Sequence, residues 1–100
     1  MERKIVVSKI AERKLEILFG YLMENWSAKV KSDFIRKLDK NILLIKSQPE
    51  IFPKSEKNPD LRKCVVTKQT TLFFKFDEHK INILTIFDNR QNPDKLKSEL

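Results

Sequence analysis

A chain of 100 residues with one cysteine, one glycine and a net charge of +7 has room for one compact domain, residues 1–100, and not for two. Its balance of 40% apolar and 35% charged residues is that of a folded, helix-rich, soluble protein and excludes a disordered one. The lone Cys64 excludes an intrachain disulfide, no stretch approaches the ~20 apolar residues of a membrane helix, and a domain this small offers a shallow groove in place of a deep pocket.

Lys4 to Val7 is a short, β-branched apolar run that reads as a first strand. The charged start Met1-Glu2-Arg3-Lys4 precedes too few apolar residues for a signal peptide, so a cytoplasmic protein is expected. Ser8 stands where a helix should be capped. From Lys9 to about Asn25, Ala11, Leu15, Leu18, Leu22 and Trp26 recur at helical spacing, with Phe19 beside them. Gly20 interrupts this helix, which suggests a close approach by a neighbouring element. Ser27 caps a second helix from Ala28 to about Ser47, with an apolar face of Phe34, Ile35, Leu38, Ile42 and Ile45. The short connection makes the two an antiparallel hairpin. On its far side Lys29, Arg36 and Lys40, with Asp33 between them, read as a solvated face before they read as a basic binding stripe.

Gln48 to Asp60 is the one long loop, kept extended and free of a third helix by Pro49, Pro53 and Pro59. Three strands follow: Leu61 to Lys68, Thr70 to Asp77 and Lys80 to Phe87. The last is nearly all apolar and should lie centrally in the sheet. Their links are short enough for hairpins. Pro93 to Leu100 reads as a short helix or a mobile tail. The expected fold is α+β, in the order β-α-α-β-β-β: an antiparallel-dominated sheet of about four strands with the N-terminal helical hairpin packed on one face.

A single glycine rules out a phosphate-binding glycine loop, and one histidine with one cysteine makes no metal cluster. His79 falls in a hairpin turn and reads as an exposed polar residue. Cys64 reads as a buried small hydrophobe. Any chemistry therefore falls to arginine and lysine, which stabilise charge on a phosphate or oxyanion. Arg90, just past the last strand, would carry a fixed positive charge at the rim of a rigid sheet. Its side chain is expected to be accessible. A buried Arg90 locked to a carboxylate would be structural instead.

Four stretches together resemble the RelE/ParE toxins of bacterial type II toxin–antitoxin modules: Val7-Ser8-Lys9-Ile10-Ala11-Glu12; Ile17 to Trp26; Ile45-Lys46-Ser47-Gln48-Pro49-Glu50-Ile51-Phe52-Pro53; and Leu84-Thr85-Ile86-Phe87-Asp88-Asn89-Arg90-Gln91-Asn92-Pro93. They span nearly the whole chain, and their order matches the family's element order. The resemblance implies a cognate antitoxin as partner, to which the +7 charge is suited, and a target that is either DNA gyrase or the ribosome and its mRNA. It implies no cofactor, no metal and no membrane. Carried over by position, Arg90 matches the family arginine after the last strand. Arg62 and Lys63 match basic groups of the second strand, and Lys54 and Lys57 match loop lysines of the RelE-like branch. In that branch Arg90, Arg62 and Lys54 would be catalytic; Arg90, Arg62, Lys63 and Lys57 would contact target or antitoxin.

The departure lies after Arg90, where no tyrosine or histidine follows. Tyr21, the only tyrosine, reads as a packing residue. RNA cleavage through the 2′-hydroxyl needs a base, an acid and cations that hold the phosphate. The acid is missing from its usual place. The reading is therefore a ParE-like gyrase inhibitor, with a RelE-like ribosome-dependent mRNA endoribonuclease as the alternative and a non-toxic basic binding module as the second.

Overall fold

The computed structural model describes residues 3–90. Strand β1 (Lys4–Val7) leads into helices α1 (Lys9–Asn25) and α2 (Ala28–Ser47), followed by a single 3-10 turn at Pro49–Ile51 and strands β2 (Arg62–Val65), β3 (Thr70–Phe76) and β4 (Lys80–Asp88). The sheet order is β1-β4-β3-β2. β4 is central, as its apolar run implied, and pairs antiparallel with β3 and parallel with β1. The sheet is thus antiparallel-dominated but mixed. The expectation for residues 93–100 lies outside the described residues.

Both helices begin where serine permits it. The Ser8 hydroxyl accepts from the Ala11 N–H at 3.0 Å, and that of Ser27 accepts from Val30 N–H at 3.2 Å. Ser8 does more than cap. Its N–H donates to Ile83 O at 2.9 Å and its hydroxyl donates to Leu84 O at 2.7 Å, fixing the start of α1 to the middle of β4. Ala11, Leu18 and Leu22 of α1 and Phe34, Leu38 and Ile45 of α2 form one core with Cys64, Leu72, Phe74, Ile81, Ile83 and Ile86 of the sheet. Phe19 and Phe34 join the two helices edge to face, with ring centroids 6.2 Å apart.

Four expectations need correction. An added Cβ at Gly20 would meet nothing within 4 Å, so no neighbour approaches this glycine. Trp26 is not part of the buried face; it is the C-cap of α1 and largely exposed. The proline-rich loop has no α-helix but does hold one 3-10 turn, because a proline in the first helical position gives up only a backbone donor that would lack a partner anyway. β2 ends at Val65 and not at Lys68, because Thr67 closes a turn. Its hydroxyl accepts from the N–H groups of Gln69 and Thr70, both at 3.1 Å, and reinforces a turn in which the Val66 N–H donates to Thr70 O at 2.9 Å.

Candidate functional site

A one-residue irregularity in β4 decides which way Arg90 points. Phe74 pairs with Ile83 but Phe73 pairs with Thr85, so Leu84 is an extra residue in the strand. Before it, the core-facing positions are Ile81 and Ile83. After it they are Ile86 and Asp88, opposite Leu72 and Thr70. A shift of one residue exchanges the two faces of a strand. The bulge therefore turns Asp88, and Arg90 two residues on, toward the helices.

There Asp88 is fully enclosed, its side chain 2% exposed, and Arg90 is 20% exposed. Arg90 Nε donates to Asp88 Oδ1 at 2.9 Å, and Nη2 donates to Oδ2 at 2.5 Å. The Arg90 N–H also donates to Oδ1 at 2.9 Å, and the Thr70 hydroxyl donates to Oδ2 at 2.6 Å. Burial alone would push the Asp88 carboxyl up; the bonds from the Arg90 side chain, from Thr70 and from the Arg90 N–H together outweigh it and hold the pKa below its ordinary value. The same pairing keeps Arg90 above its ordinary value against partial burial, and the nearby Tyr21 adds a small contribution of the same sign. Arg90 thus lies at the rim, as expected, but it is half structural. Two of its five N–H groups are committed to Asp88, and Nη1 is left to meet an anion.

Arg90 lines a groove of about 220 Å³ between the helices and the β2–β3 turn. Leu22, Val30 and Phe34 make the groove's apolar wall; Asp33, Lys37, Thr67 and Gln69 make its polar one. Asp33 is occupied on its outer side. It pairs with Lys29 at 3.6 Å and with Arg36, whose hydrogen bond, more than the charge of Lys29, holds its pKa down. The α2 stripe is therefore a partly neutralised, solvated face, as the sequence suggested.

The remaining basic candidates lie elsewhere. Arg62 pairs with Phe74, four residues along β3 from Thr70, or about 13 Å of strand from the Asp88 pair. Its Nη1 donates to Phe52 O at 2.7 Å and to Glu50 O at 3.3 Å, and its guanidinium lies 5.4 Å from the Phe76 ring centroid. Arg62 thereby pins the 3-10 turn to the sheet. Lys54 forms an isolated bridge with Arg62, Lys63 follows it on β2, and Lys57 is exposed in the loop. Arg62, Lys54 and Lys63 thus lie together on and beside β2, away from Arg90, whose groove is shared by Lys37. His79 precedes β4 while Arg90 follows it, which separates them by about 30 Å of strand. Cys64 is buried, its thiol donates to Asn41 Oδ1 at 3.4 Å, and burial pushes its pKa up to about 11.

Sequence reasoning missed Asp88, Thr70, Lys37 and Gln69. Asp88 stood inside a quoted stretch, and an acid two residues from an arginine was its only signal. Lys37 gave none, because only the tertiary fold brings α2 to the β2–β3 turn.

The overall fold matches known structures. A chain of the chromosomal ParDE toxin–antitoxin system from P. aeruginosa superposes with a TM-score of 0.71 at 12% identity, over 86% of this chain and 95% of that one. The RelE/ParE fold is the fold of this chain. The E. coli DinJ–YafQ toxin–antitoxin complex gives 0.62 at 12% identity over 93% and 99% of the two chains. YafQ from E. coli strain BL21(DE3) gives 0.59 at 13% identity over 88% and 94%. No protein-family profile and no curated sequence matches the chain. The superpositions show a shared fold, and identities this low carry the likeness no further than the fold.

Proposed function

We propose that this chain is the toxin of a type II toxin–antitoxin pair, neutralised by a cognate antitoxin, and that it inhibits DNA gyrase in the manner of ParE-like toxins. The toxin role draws on the RelE/ParE fold it shares with ParDE and YafQ chains. The observation that carries the choice of target is the state of Arg90. It is held by a buried carboxylate, His79 is about 30 Å away, and none of residues 91–100 is a histidine or tyrosine. Such an arginine can bind charge, whereas cutting RNA also requires an acid and a base.

In this reading Arg90 and the basic groups of β2 and its preceding loop, Arg62, Lys63 and Lys57, meet the target or the antitoxin. The alternative, a ribosome-dependent mRNA endoribonuclease, gains from Lys37 sharing a groove with Arg90. Induction should arrest growth, and co-expression of the antitoxin should restore it. The purified protein should block supercoiling of relaxed plasmid by gyrase. Codon-specific cuts in translating ribosomes that vanish in Arg90→Ala would overturn the gyrase reading in favour of the nuclease.

A further inference from the structure

The sheet face turned away from the helices carries one lysine on each of its four strands. Side chains alternate along a strand. Ile5, Ile81, Phe76 and Cys64 lie with the core, so their neighbours Lys4, Lys80, Lys75 and Lys63 point the other way. The register lines them up. Lys4 pairs directly with Lys80. Lys75 pairs with Asn82, two residues on from Lys80. Lys63 pairs with Phe73, two residues on from Lys75. With strands about 4.8 Å apart and about 3.3 Å per residue, the four form a diagonal stripe about 20 Å long.

Among the described residues, none of the four side chains makes an ion pair or hydrogen bond. Lys4, Lys75 and Lys80 are exposed and Lys63 is half-buried. The carboxylates in the β3–β4 turn are Asp77 and Glu78, and Asp77 Oδ1 already accepts from the N–H groups of His79 and Lys80 at 2.7 and 2.9 Å. Like charges directly opposite on neighbouring strands destabilise a sheet. The Lys4–Lys80 pair is a cost that the Asp77 charge near Lys80 offsets in part and an anionic partner would reduce further.

We infer that this lysine stripe binds the phosphate backbone of duplex DNA without reading its sequence. A protein partner would need a buried apolar anchor at the centre of the interface. Here the centre of the stripe is Asn82, and the exposed apolar side chains Val6 and Val65 sit on the two outer strands. Single-stranded nucleic acid would need exposed aromatic rings for stacking; Phe73 is buried and Phe87 half-buried. A duplex presents one charge per about 1.7 Å of axis and needs only a row of cations and polar donors, which the lysines and Asn82 supply. The inference does not rest on the toxin reading: Lys63 is shared with the proposed contact surface, but Lys4, Lys75 and Lys80 belong to the stripe alone, on the face opposite the Arg90 groove.

Fluorescence anisotropy of the full-length protein with a labelled duplex of arbitrary sequence tests it. Contact with four phosphates gives a slope of log K against log salt near about −3.6, and Lys75→Gln with Lys80→Gln brings it to about −1.8. Lys29→Gln with Lys40→Gln removes the same charge from α2 and should leave the slope unchanged. Equal weakening by both double variants, tighter binding of single-stranded RNA than of duplex, or binding of polyglutamate but not DNA would each overturn the inference. A loss of growth arrest with duplex binding intact would count against the toxin reading alone.

Discussion

The hydroxyl of Thr70 donates to Asp88 Oδ2 at 2.6 Å across the β3–β4 ladder, on the same carboxylate oxygen that receives Arg90 Nη2 at 2.5 Å. Strand pairing, a buried acid and a rim arginine thus form one unit, and its members should not be separable by mutation. Asp88→Ala leaves a mostly covered guanidinium without its partner and should destabilise the fold by about 2–3 kcal/mol. Thr70→Val removes one bond to a charged group and should cost about 1.5 kcal/mol. Urea unfolding of the two variants and their double should show clear non-additivity, because both act on the same carboxylate.

The pH dependence follows from the same carboxylate. Its folded pKa lies below the ordinary value of 3.8, so its contribution is fully present above that value and is lost as pH falls through the lower, folded one. Thermal melts should therefore show a stability loss below about pH 4 that is smaller in Asp88→Asn. An equally steep acid limb in that variant would assign the loss to other groups.

Gly20 gives a prediction of opposite sign. It lies in the interior of α1, exposed, with space around an added Cβ and no positive φ. Gly20→Ala should stabilise by about 0.5–1 kcal/mol, partly by restricting the unfolded chain. For a domain of this size the melting temperature should rise by about 2–8 °C.

Cys64 should resist labelling. With its thiol enclosed and its pKa pushed up to about 11, little thiolate exists at neutral pH. Iodoacetamide should modify it only as fast as the domain opens, and labelling should accelerate sharply in urea. Rapid labelling of the native protein would show that the β2–α2 contact opens locally.

The helices were legible in the sequence to the residue, because Ser8 and Ser27 are capping groups placed directly before periodic apolar runs. The central position of β4 was legible from its apolar run. Three features were not. The parallel pairing of β1 with β4 depends on where the helical hairpin returns the chain. The early end of β2 depends on a turn at Thr67–Thr70, held by backbone bonds and the Thr67 hydroxyl. The separation of Arg62 from Arg90 depends on register, which no local pattern in β2 announces. A buried acid beside a rim arginine was written in Asp88-Asn89-Arg90, but without the bulge its direction could not be read.

That bulge also separates the molecule's two positive regions. Had β4 run without Leu84 as an extra residue, Asp88 and Arg90 would face the same side as Lys80 and Asn82, and one anion could neutralise both. With Leu84 in place, the arginine belongs to the helical side and the lysine stripe to the other. A partner at the Arg90 groove that reaches as far as Lys63 would still leave Lys4, Lys75 and Lys80 uncovered, so the two faces offer separate points of attachment.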